Sequence, residues 1–426
     1  MKIAFISLGC KVNNYEVDAI KDLFVQSGDE IVSSDEEFDA CIINSCTVTN
    51  QASAKSRKMI RSAIRSNPNA IVAVMGCYSQ VFSKELKEIE GLNIIIGNVN
   101  KANIVDLIHN YKGEKIVEIS DIFACRKFEN LSPKTFSHTR AFLKIEDGCN
   151  NFCTYCIIPY SRGPIRSKDS DDVIKDINEI VSNGYKEVVL TGIHTGKYQD
   201  EKVDFTGLVK RILNETELKR LRISSIEINE VTDELIDMMK EYPHRLAHHL
   251  HIPLQAGSSA VLKKMNRHYD KEQFVERIKY IQSQIEDISI TTDIIVGFPE
   301  ETDDDFKETL EVAKEVKFAK IHCFPFSLRE GTKACQLEQV SEAVKDERMR
   351  KLMDLDQYLE KQFMLKMINE IVEVIIEEDK GNFAFGHSSN YLPIYVPANK
   401  VKKNKFVSVR ITNYNDLGLY GRPVDR

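Results

Sequence analysis

Short apolar runs alternate with helix-like segments along most of this chain, and that alternation limits the folds it can adopt. Near the amino end the apolar runs are KIAFISL, ACIIN, AIVAVMG and LNIIIGN, and patterns typical of helices separate them. Nearly continuous apolar strands joined by helices indicate a parallel sheet that is covered on both faces. We therefore predict an N-terminal α/β domain over residues 1–125.

The alternation resumes after a polar linker and continues through the middle of the chain. Its strand-like runs include AFLKIE, EVVLTGI, RLRISSIE and KIHCFPF. This pattern predicts a partial or full parallel βα barrel over residues 135–365, with its site at the carboxyl ends of the strands. Over residues 367–426 the runs become short, which predicts a small all-β barrel. The predicted fold class is α/β with an all-β C-terminal domain.

Length and composition exclude several classes of protein. A chain of 426 residues is too long for one compact core. No apolar run reaches the roughly 20 residues that cross a bilayer, and MKIAFISLGC indicates a first strand rather than a secretion signal. We therefore expect a cytoplasmic protein without a membrane partner. In a reducing compartment, its ten cysteines are more often metal ligands, catalytic groups or buried hydrophobic residues than disulfides.

Three cysteines lie close together in EDGCNNFCTYC, at the spacing C-x3-C-x2-C; these loop cysteines are Cys149, Cys153 and Cys156. They follow the strand AFLKIE, and no neighbouring cysteine or histidine completes a tetrahedral site. Structural zinc sites have four protein ligands. Three thiolates suit a [4Fe–4S] cluster with one iron open to an exchangeable ligand. A zinc site completed by a distant histidine, for instance from HRLAHHLH, is the alternative.

Three further cysteines each end an apolar strand of the first domain; these sheet-edge cysteines are Cys10, Cys46 and Cys77. Open α/β sheets place a ligand crevice at the carboxyl ends of their strands, so neighbouring strands would gather the three thiols. A lone cysteine there is usually a buried hydrophobic residue, but three in equivalent positions predict a second cluster. The remaining cysteines are predicted to be core or to have no ligand role: Cys41, Cys125, Cys323 and Cys335.

The loop cysteines resemble the signature of radical S-adenosylmethionine (SAM) enzymes. The resemblance implies that they ligate three irons of a cluster, that SAM chelates the fourth, and that one electron cleaves SAM to methionine and a 5′-deoxyadenosyl radical. It also implies SAM contacts at later strand ends, although LTGIHTG lacks the full Gly-Gly-Glu segment. Each position taken singly is equally compatible with a tight turn or a core strand. The implied contacts are Tyr155, Gly192, Ser224, Glu227, Gln255, Asp293 and Gly297.

Both cysteine sets, together with the all-β C-terminal unit, resemble the methylthiotransferase family. That resemblance implies an auxiliary [4Fe–4S] cluster on the sheet-edge cysteines and an RNA-binding TRAM domain at the end of the chain. The motif GCKVNNYE is similar to the branch that acts on threonylcarbamoyladenosine beside the tRNA anticodon. Branches acting on isopentenyladenosine or a ribosomal-protein aspartate read GCQMN or GCPKN. The implied reaction uses two SAM and two clusters to exchange hydrogen for a methylthio group at adenine C2.

The implied partners are the tRNA anticodon stem-loop, an electron donor such as flavodoxin or ferredoxin, and a source of sulfur. Three alternatives stay open. The first is a methylthiotransferase for isopentenyladenosine in tRNA or for a ribosomal-protein aspartate. The second is a radical SAM enzyme whose second cluster only relays electrons. The third is an RNA-binding protein with structural zinc sites.

Two local basic regions are candidates for RNA binding in a chain whose net charge is −7. The first lies in ASAKSRKMIRSAIRS, where Lys58, Arg61 and Arg65 share one helix face. The second is the C-terminal barrel, where basic residues outnumber acidic ones and tyrosines supply rings for bases. Arg162, in PYSRG, is compatible with either a phosphate contact or support of the loop. The predicted RNA contacts are Lys55, Lys58, Arg61, Arg65, Lys402, Lys403, Lys405 and Arg410.

Overall fold

The computed structural model of the chain describes residues 1–424. Asp425 and Arg426, the last two residues of the predicted C-terminal domain, lie outside the described residues. Within residues 1–424, no helix is both long and apolar enough to cross a membrane.

A six-stranded parallel sheet opens the chain, in the strand order β2-β1-β3-β4-β5-β6. Helices cover both faces, because alternate side chains of β3 and β4 belong to two separate apolar cores. The strands are β1 (Lys2–Ser7), β2 (Glu30–Val32), β3 (Ala40–Ser45), β4 (Ile71–Gly76), β5 (Ile94–Ile96) and β6 (Ile116–Glu118). The helices are α1 (Lys11–Gln26), α2 (Asn50–Ser66), α3 (Cys77–Val81), α4 (Ser83–Lys87) and α5 (Ile104–His109).

The central region is an open βα barrel. It consists of two three-stranded parallel sheets, β7-β10-β11 and β12-β13-β14, which parallel bridges such as Ser225–His251 join. The strands of this region, including a short hairpin β8–β9, are β7 (Ala141–Lys144), β8 (Glu146–Asp147), β9 (Arg166–Ser167), β10 (Glu187–Thr191), β11 (Arg220–Ile223), β12 (His249–His251), β13 (Ser289–Val296) and β14 (Lys320–Pro325).

Helices surround the barrel and bury their apolar faces against its strands in one large core. Asp or Thr side chains cap several of them by accepting the amide of the third helical residue, as Thr232 does for Leu235. The helices are α6 (Ile158–Arg162), α7 (Ser170–Ser182), α8 (Phe205–Glu215), α9 (Asp233–Glu241), α10 (Ser259–Lys264), α11 (Lys271–Gln284), α12 (Asp303–Val316) and α13 (Glu342–Lys366). Short 3₁₀ turns also occur at Lys101–Asn103, Ile122–Ala124, Thr195–Lys197, Ile228–Glu230, Lys333–Gln336 and Ala398–Lys400.

Five strands close into a small barrel at the end of the chain, in the order β15-β16-β17-β19-β18. Its inward side chains, Val374, Ile394 and Val409 among them, form a separate core. The predicted fold class, a parallel α/β chain with an all-β C-terminal barrel, is confirmed. The strands are β15 (Ile371–Lys380), β16 (Phe383–Ser388), β17 (Pro393–Pro397), β18 (Phe406–Asn415) and β19 (Gly418–Pro423).

The C-terminal barrel docks where the strands of the central barrel begin. Arg222, on β11, donates to the carbonyls of Ser388 and Ser389. Arg220, on the same strand, pairs with Glu373 at 2.9 Å. The docking face is therefore at the opposite ends of the strands from the loop cysteines, which follow β7 and β8.

Candidate active site and metal centres

The loop cysteines occupy a turn at the carboxyl end of β7. Gly148 starts the turn with φ +95°, and a Cβ atom there would lie 2.1 Å from the carbonyl oxygen of Pro164. Only glycine lets the chain pass so close. The amide of Cys149 donates to the Gly163 carbonyl at 3.0 Å, and that of Cys156 to the Cys153 carbonyl at 2.9 Å. These bonds hold three partly exposed thiols on one short loop.

The chemistry of this loop fits a metal cluster. Burial raises the pKa of Cys149 and Cys156 to about 12, so each thiol keeps its proton at neutral pH unless a metal replaces it. Cys153 lies between these two residues on the same turn. Three sulfur donors with partial exposure suit a [4Fe–4S] cluster that keeps one iron open.

Two histidines of HRLAHHLH, the segment considered for a zinc site at the loop, have partners elsewhere in the barrel. His248 and His249 lie where β12 begins, and they interact with Asp287 at 2.6 Å and Thr291 at 3.1 Å. The imidazole near the loop is that of His194, whose Nδ1 lies 3.7 Å from the Cys149 sulfur and whose Nε2 lies 2.7 Å from Glu230. His194 could not be predicted as a neighbour of the loop, because no local spacing in the sequence links the two.

Two other charged residues beside the loop were also missed. The side chain of Arg267 is only 4% exposed, lies 3.5 Å from the Cys153 sulfur and pairs with Glu227. Glu146 accepts the amides of Ile193 and His194 at 2.9 and 2.7 Å through Oε2, and burial raises its pKa to about 8. Within the described residues its Oε1 atom is buried without a hydrogen-bond partner.

The sheet-edge cysteines meet because β1, β3 and β4 are neighbours in the sheet. Cys10 directly precedes α1, Cys46 follows β3, and Cys77 begins α3. A Cβ atom added to Gly9 would lie 3.1 Å from the Cys46 sulfur. Burial raises the pKa of Cys46 to about 11, and the Cys77 and Cys10 thiols act on it in the same direction. The structure thus brings three thiols from distant sequence positions to one edge, and this donor set also fits a cluster.

The cysteines outside both sets lie elsewhere. Cys41 is buried in the core of the sheet, near the start of β3. Cys125, Cys323 and Cys335 are partly exposed residues of the linker, β14 and a 3₁₀ turn.

Arg162 connects the two cysteine sets. It ends α6, shortly after Cys156, and its Nε lies 3.2 Å from the Cys77 sulfur. Its Nη atoms bind Glu16 and Asn13 on α1 and Asp147 on β8. Its side chain is completely buried, so it is inaccessible to a phosphate. Of the two roles considered for Arg162, the structure favours support of the loop.

Four of the residues predicted to contact SAM have different neighbours in the structure. Gly192 lies against Glu146, and Ser224 lies 3.3 Å from the Thr195 hydroxyl. Tyr155 packs edge-on against Phe298 with ring centroids 6.4 Å apart. Gln255 adopts φ +69° and pairs with Ile294 through its backbone. These four positions lie at or beside the carboxyl ends of the barrel strands.

Two of the predicted contacts have clear structural partners. A Cβ atom on Gly297 would lie 2.4 Å from Cγ of Lys345, so this glycine permits close packing of α13. Asp293 lies within β13 and pairs with His251 at 3.3 Å, beside His322 on β14. Its carboxylate therefore faces the inside of the barrel, close to the imidazoles of His251 and His322.

The floor of the barrel is formed by a residue of the C-terminal domain. Tyr391 is inserted between the rings of His249 and His387, at centroid distances of 4.7 and 4.6 Å. The guanidinium groups of Arg140 and Arg222 lie over its ring at 5.1 and 4.9 Å. Tyr391 is thus a docking residue rather than a surface ring for RNA.

The predicted RNA contacts are all exposed lysines and arginines. On α2, Lys55, Lys58, Arg61 and Arg65 make no ion pair with any residue in 1–424; Arg57 instead binds Tyr78 at 2.8 Å. On the C-terminal barrel, Lys402, Lys403 and Lys405 likewise have no acidic partner among the described residues, whereas Arg410 donates to the Asn369 carbonyl. Tyr395 and Tyr420 stack at 5.1 Å on the same barrel and are partly exposed.

Two family models match the chain. One describes the radical SAM superfamily and matches residues 143–313. The other describes the uncharacterized protein family UPF0004 and matches residues 2–97. The first match includes the loop cysteines and the second includes the sheet-edge cysteines.

Solved structures of low sequence identity share the fold. The radical SAM methyltransferase TsrM from Kitasatospora setae aligns with a TM-score of 0.57 and 12% identity, covering 78% of this chain and 76% of that one. The cobalamin-dependent radical SAM enzyme OxsB aligns with a TM-score of 0.52 and 13% identity, covering 84% of this chain and 56% of that one. At such identities the likeness concerns the fold alone.

Curated relatives match at much higher identity. The threonylcarbamoyladenosine tRNA methylthiotransferase MtaB of Bacillus subtilis is 42% identical, covering 99% of this chain and 97% of the relative. A tRNA-2-methylthio-N(6)-dimethylallyladenosine synthase of Clostridium perfringens is 33% identical, covering 98% and 96%. By full-length identity as well as by its two cysteine sets, the chain belongs to the radical SAM methylthiotransferase family, in the MtaB branch.

Proposed function

We propose that this protein replaces the hydrogen at C2 of N6-threonylcarbamoyladenosine, beside the anticodon of a tRNA, with a methylthio group. The observation that carries the proposal is the pairing of two three-cysteine sets, which Arg162 links through the Cys77 sulfur at 3.2 Å. The MtaB relative of Bacillus subtilis, at 42% identity, supports this substrate. The dimethylallyladenosine synthase of Clostridium perfringens, at 33% identity, supports the alternative substrate, an adenosine with a dimethylallyl (isopentenyl) group.

The enzyme's cofactors are SAM and [4Fe–4S] clusters. We assign one cluster to Cys149, Cys153 and Cys156, and an auxiliary cluster to the sheet-edge cysteines. When bound, these groups supply the sulfur, the methyl group and the 5′-deoxyadenosyl radical that the exchange at C2 requires. Because C2–H is not acidic, the proposed mechanism includes no side chain that removes this hydrogen as a proton.

The protein's own residues position these groups and exclude water. Arg162 fixes the loop against the sheet edge, because it binds Glu16 on α1 and Asp147 on β8 at once. Glu146 lies beside Gly192 with one carboxyl oxygen free of partners among the described residues. We assign that oxygen to the amino group of SAM, in place of the acidic residue that LTGIHTG lacks. Arg267 keeps Glu227 beside Cys153.

The exposed cations of α2 and of the C-terminal barrel would bind tRNA phosphates. Helix α2 begins shortly after Cys46, so a backbone held by Lys58, Arg61 and Arg65 would lie near the sheet-edge cysteines. The reaction also consumes electrons and sulfur. The proposal therefore includes a low-potential electron donor such as flavodoxin or ferredoxin, and a source of sulfur.

Mass spectrometry of tRNA nucleosides from cells with and without the gene tests the substrate. We expect 2-methylthio-N6-threonylcarbamoyladenosine to disappear and its unthiolated parent to accumulate. Loss of the methylthio derivative of isopentenyladenosine instead would assign the other tRNA branch. Unchanged tRNA nucleosides would refute the proposal and direct attention to ribosomal proteins.

A further inference from the structure

Three side chains inside the central barrel form a group of possible metal ligands away from both cysteine sets. They are His251 on β12, Asp293 on β13 and His322 on β14, three neighbouring strands of one parallel sheet. Asp293 lies directly opposite His322 in the strand pairing, and His251 lies opposite Thr291. One ligand atom of each of the three residues lies within 4.8 Å of the other two. Strand pairing therefore holds two imidazoles and one carboxylate together.

The carboxylate of Asp293 is not neutralised by a lysine or an arginine within residues 1–424. Its one charged partner there is the Nε2 atom of His251, at 3.3 Å. Lys320, on the neighbouring strand β14, is already paired with Asp356 and Glu360 on α13, at 2.8 and 2.7 Å. The side chain of Asp293 is 29% exposed. A partly buried carboxylate without a cation is unfavourable, so this position is suited to a positive ion.

The two imidazoles each have a nitrogen available to bind such an ion. Nδ1 of His251 lies 2.9 Å from the Thr291 hydroxyl, and Nε2 faces Asp293. Histidines that bind metals usually hold their other ring nitrogen in a hydrogen bond of this kind. His322 is exposed, and its side chain makes no hydrogen bond or ion pair in the described part of the chain. Its ring centroid lies 5.5 Å from that of His251.

The donor atoms and their spacing suit a divalent transition metal. Two ligand atoms that each lie about 2.1 Å from a metal ion are roughly 3.0 to 3.4 Å apart. The distance of 3.3 Å between His251 Nε2 and the Asp293 carboxylate lies in that range. Two imidazoles with one carboxylate favour iron or zinc over magnesium and calcium, which prefer oxygen ligands. Three protein ligands also leave coordination positions open.

We propose that His251, Asp293 and His322 together bind one divalent transition-metal ion, such as Fe²⁺ or Zn²⁺. Asp293 lies three residues before the end of β13, roughly 10 Å from the carboxyl end of the strand. His251 lies two residues beyond His249, on which the floor residue Tyr391 stacks. The ion therefore lies between the floor and the strand ends, where water or an oxygen atom of a bound molecule completes its coordination. In this assignment Asp293 binds the ion rather than SAM.

Titration of the cluster-loaded enzyme with Mn²⁺ tests the inference. Mn²⁺ is paramagnetic and an oxidised [4Fe–4S]²⁺ cluster is diamagnetic, so electron paramagnetic resonance reports the bound and free Mn²⁺ alone. We expect one bound Mn²⁺ per chain, with spin-echo modulation from the ¹⁴N nuclei of histidine. Imidazole sites bind Zn²⁺ more tightly than Mn²⁺. An equal amount of Zn²⁺ should therefore displace the Mn²⁺ while the iron content stays constant.

Three variants and one matched control locate the ion. Asp293→Asn and His322→Ala each remove one ligand and should weaken Mn²⁺ binding about a hundredfold or more, because loss of a ligand's hydrogen-bond partner alone costs roughly tenfold to a hundredfold. Thr291→Val keeps all three ligands and should show that smaller loss. His109→Ala is the control, since His109 pairs with Asp29 at 2.7 Å without a third ligand among the described residues. It should bind Mn²⁺ as the wild type does.

The results that would overturn the inference are specific. Wild-type affinity in both Asp293→Asn and His322→Ala would place the ion elsewhere. Bound Mn²⁺ without ¹⁴N modulation would be an adventitious ion on surface carboxylates. A wild-type enzyme that binds no Mn²⁺ and no Zn²⁺ would also refute the site. None of these results affects the proposed function, because the analysis of tRNA nucleosides tests that function independently.

Discussion

Each of the two cysteine sets presents three sulfur atoms, but the chain brings those atoms together in two different ways. The loop cysteines lie on one turn after β7, and local hydrogen bonds such as that from Cys149 to Gly163 hold the turn. The sheet-edge cysteines come from the ends of three strands and meet only when β1, β3 and β4 pair. The first site is therefore local, and the second depends on the whole N-terminal sheet.

This difference affects how each site responds to damage. The three loop cysteines are brought together by their spacing on one turn rather than by strand pairing, so we expect the loop to lose its shape while the barrel around it stays folded. Bonds from the barrel, such as that from the Thr154 amide to the Met265 carbonyl at 3.1 Å, help to hold the turn. The sheet edge shares its residues with the fold, since Asn13 and Asn44 link the turns after β1 and β3 to α1. Changes at the sheet edge should consequently alter stability as well as cluster content.

Removing one ligand from each set should produce the largest effects. Cys156→Ala should lose about half of the iron, on the basis of one [4Fe–4S] cluster per set, and should abolish 5′-deoxyadenosine formation. Cys46→Ala should lose the other half, abolish the methylthio product and keep some SAM cleavage. Iron analysis and product chromatography measure these quantities. Equal loss of both activities in both variants would contradict divided roles for the two sets.

Glycine substitutions should separate local from global damage. A Cβ atom on Gly148 would lie 2.1 Å from the Pro164 carbonyl oxygen, and one on Gly76 would lie 2.3 Å from Asn44 Oδ1. We expect Gly76→Ala to lower the free energy of unfolding of the N-terminal domain by about 2 kcal/mol or more. Gly148→Ala should mainly lose iron from the loop site.

Gly28→Ala is the matched control for this pair. Gly28 has φ +87° but no atom within 4 Å of the added Cβ, so it measures the backbone cost alone, about 1 kcal/mol. Thermal unfolding and iron content of the three variants give the comparison. Equal destabilisation by Gly28→Ala and Gly76→Ala would show that close packing at the sheet edge contributes nothing.

Much of this architecture could be predicted from the sequence, because periodicity and strand ends are local signals. The apolar runs predicted the parallel sheet, and the spacing of the loop cysteines predicted one candidate site directly. The surroundings of the thiols could not be predicted in the same way. Arg162, Arg267 and His194 reach sulfur atoms through tertiary contacts with residues far away in sequence, and no spacing rule encodes such contacts.

Tyr391 is one of the C-terminal tyrosines that the sequence predicted as rings for bases, but the structure gives it another role. It is the tip of a turn between β16 and β17, with φ +64°, and it fills the floor of the central barrel. The local sequence around a tyrosine in a basic all-β domain is the same whether the ring binds RNA or packs against another domain. Only the docking of one domain on another, through Arg222 and the Ser388 carbonyl, decides between them.

Two buried carboxylates beside the two sites should respond to pH in opposite directions. Three cations, Arg162, Lys101 and Lys144, hold the pKa of Glu16 well below its usual range. Burial instead raises the pKa of Glu146 to about 8. Between its ordinary pKa and 8, the folded protein therefore binds a proton at Glu146 that the unfolded chain releases. Stability should fall as pH rises across this window, by at most about 1.4 kcal/mol per pH unit.

The variant Glu146→Gln should remove this contribution. Its melting temperature should fall less steeply than that of the wild type between about pH 6 and pH 8. Differential scanning calorimetry of both proteins at several pH values measures the slopes. Parallel curves would show that Glu146 ionises normally in the folded protein.

The smallest effect expected is a shift in redox potential in the variant Arg162→Lys. The lysine side chain would keep the positive charge between Glu16 and Asp147, so the fold should survive, but the variant would lose the planar Nε donor that lies 3.2 Å from the Cys77 sulfur. A hydrogen bond to a ligand sulfur stabilises the reduced, more negative cluster. The midpoint potential of the auxiliary cluster should therefore fall, on the order of tens of millivolts.

The measurement uses a chain in which the three loop cysteines are alanine, so that a redox titration followed by electron paramagnetic resonance reports the auxiliary cluster alone. Arg166→Lys is the matched control, because Arg166 also binds Asp147, at 3.4 Å, without a bond to a cysteine among the described residues. If both arginine variants shift the potential equally, the effect comes from the shared charge network. A shift confined to Arg162→Lys shows that Arg162, which follows the cysteine loop in the chain, tunes the sheet-edge site through one hydrogen bond.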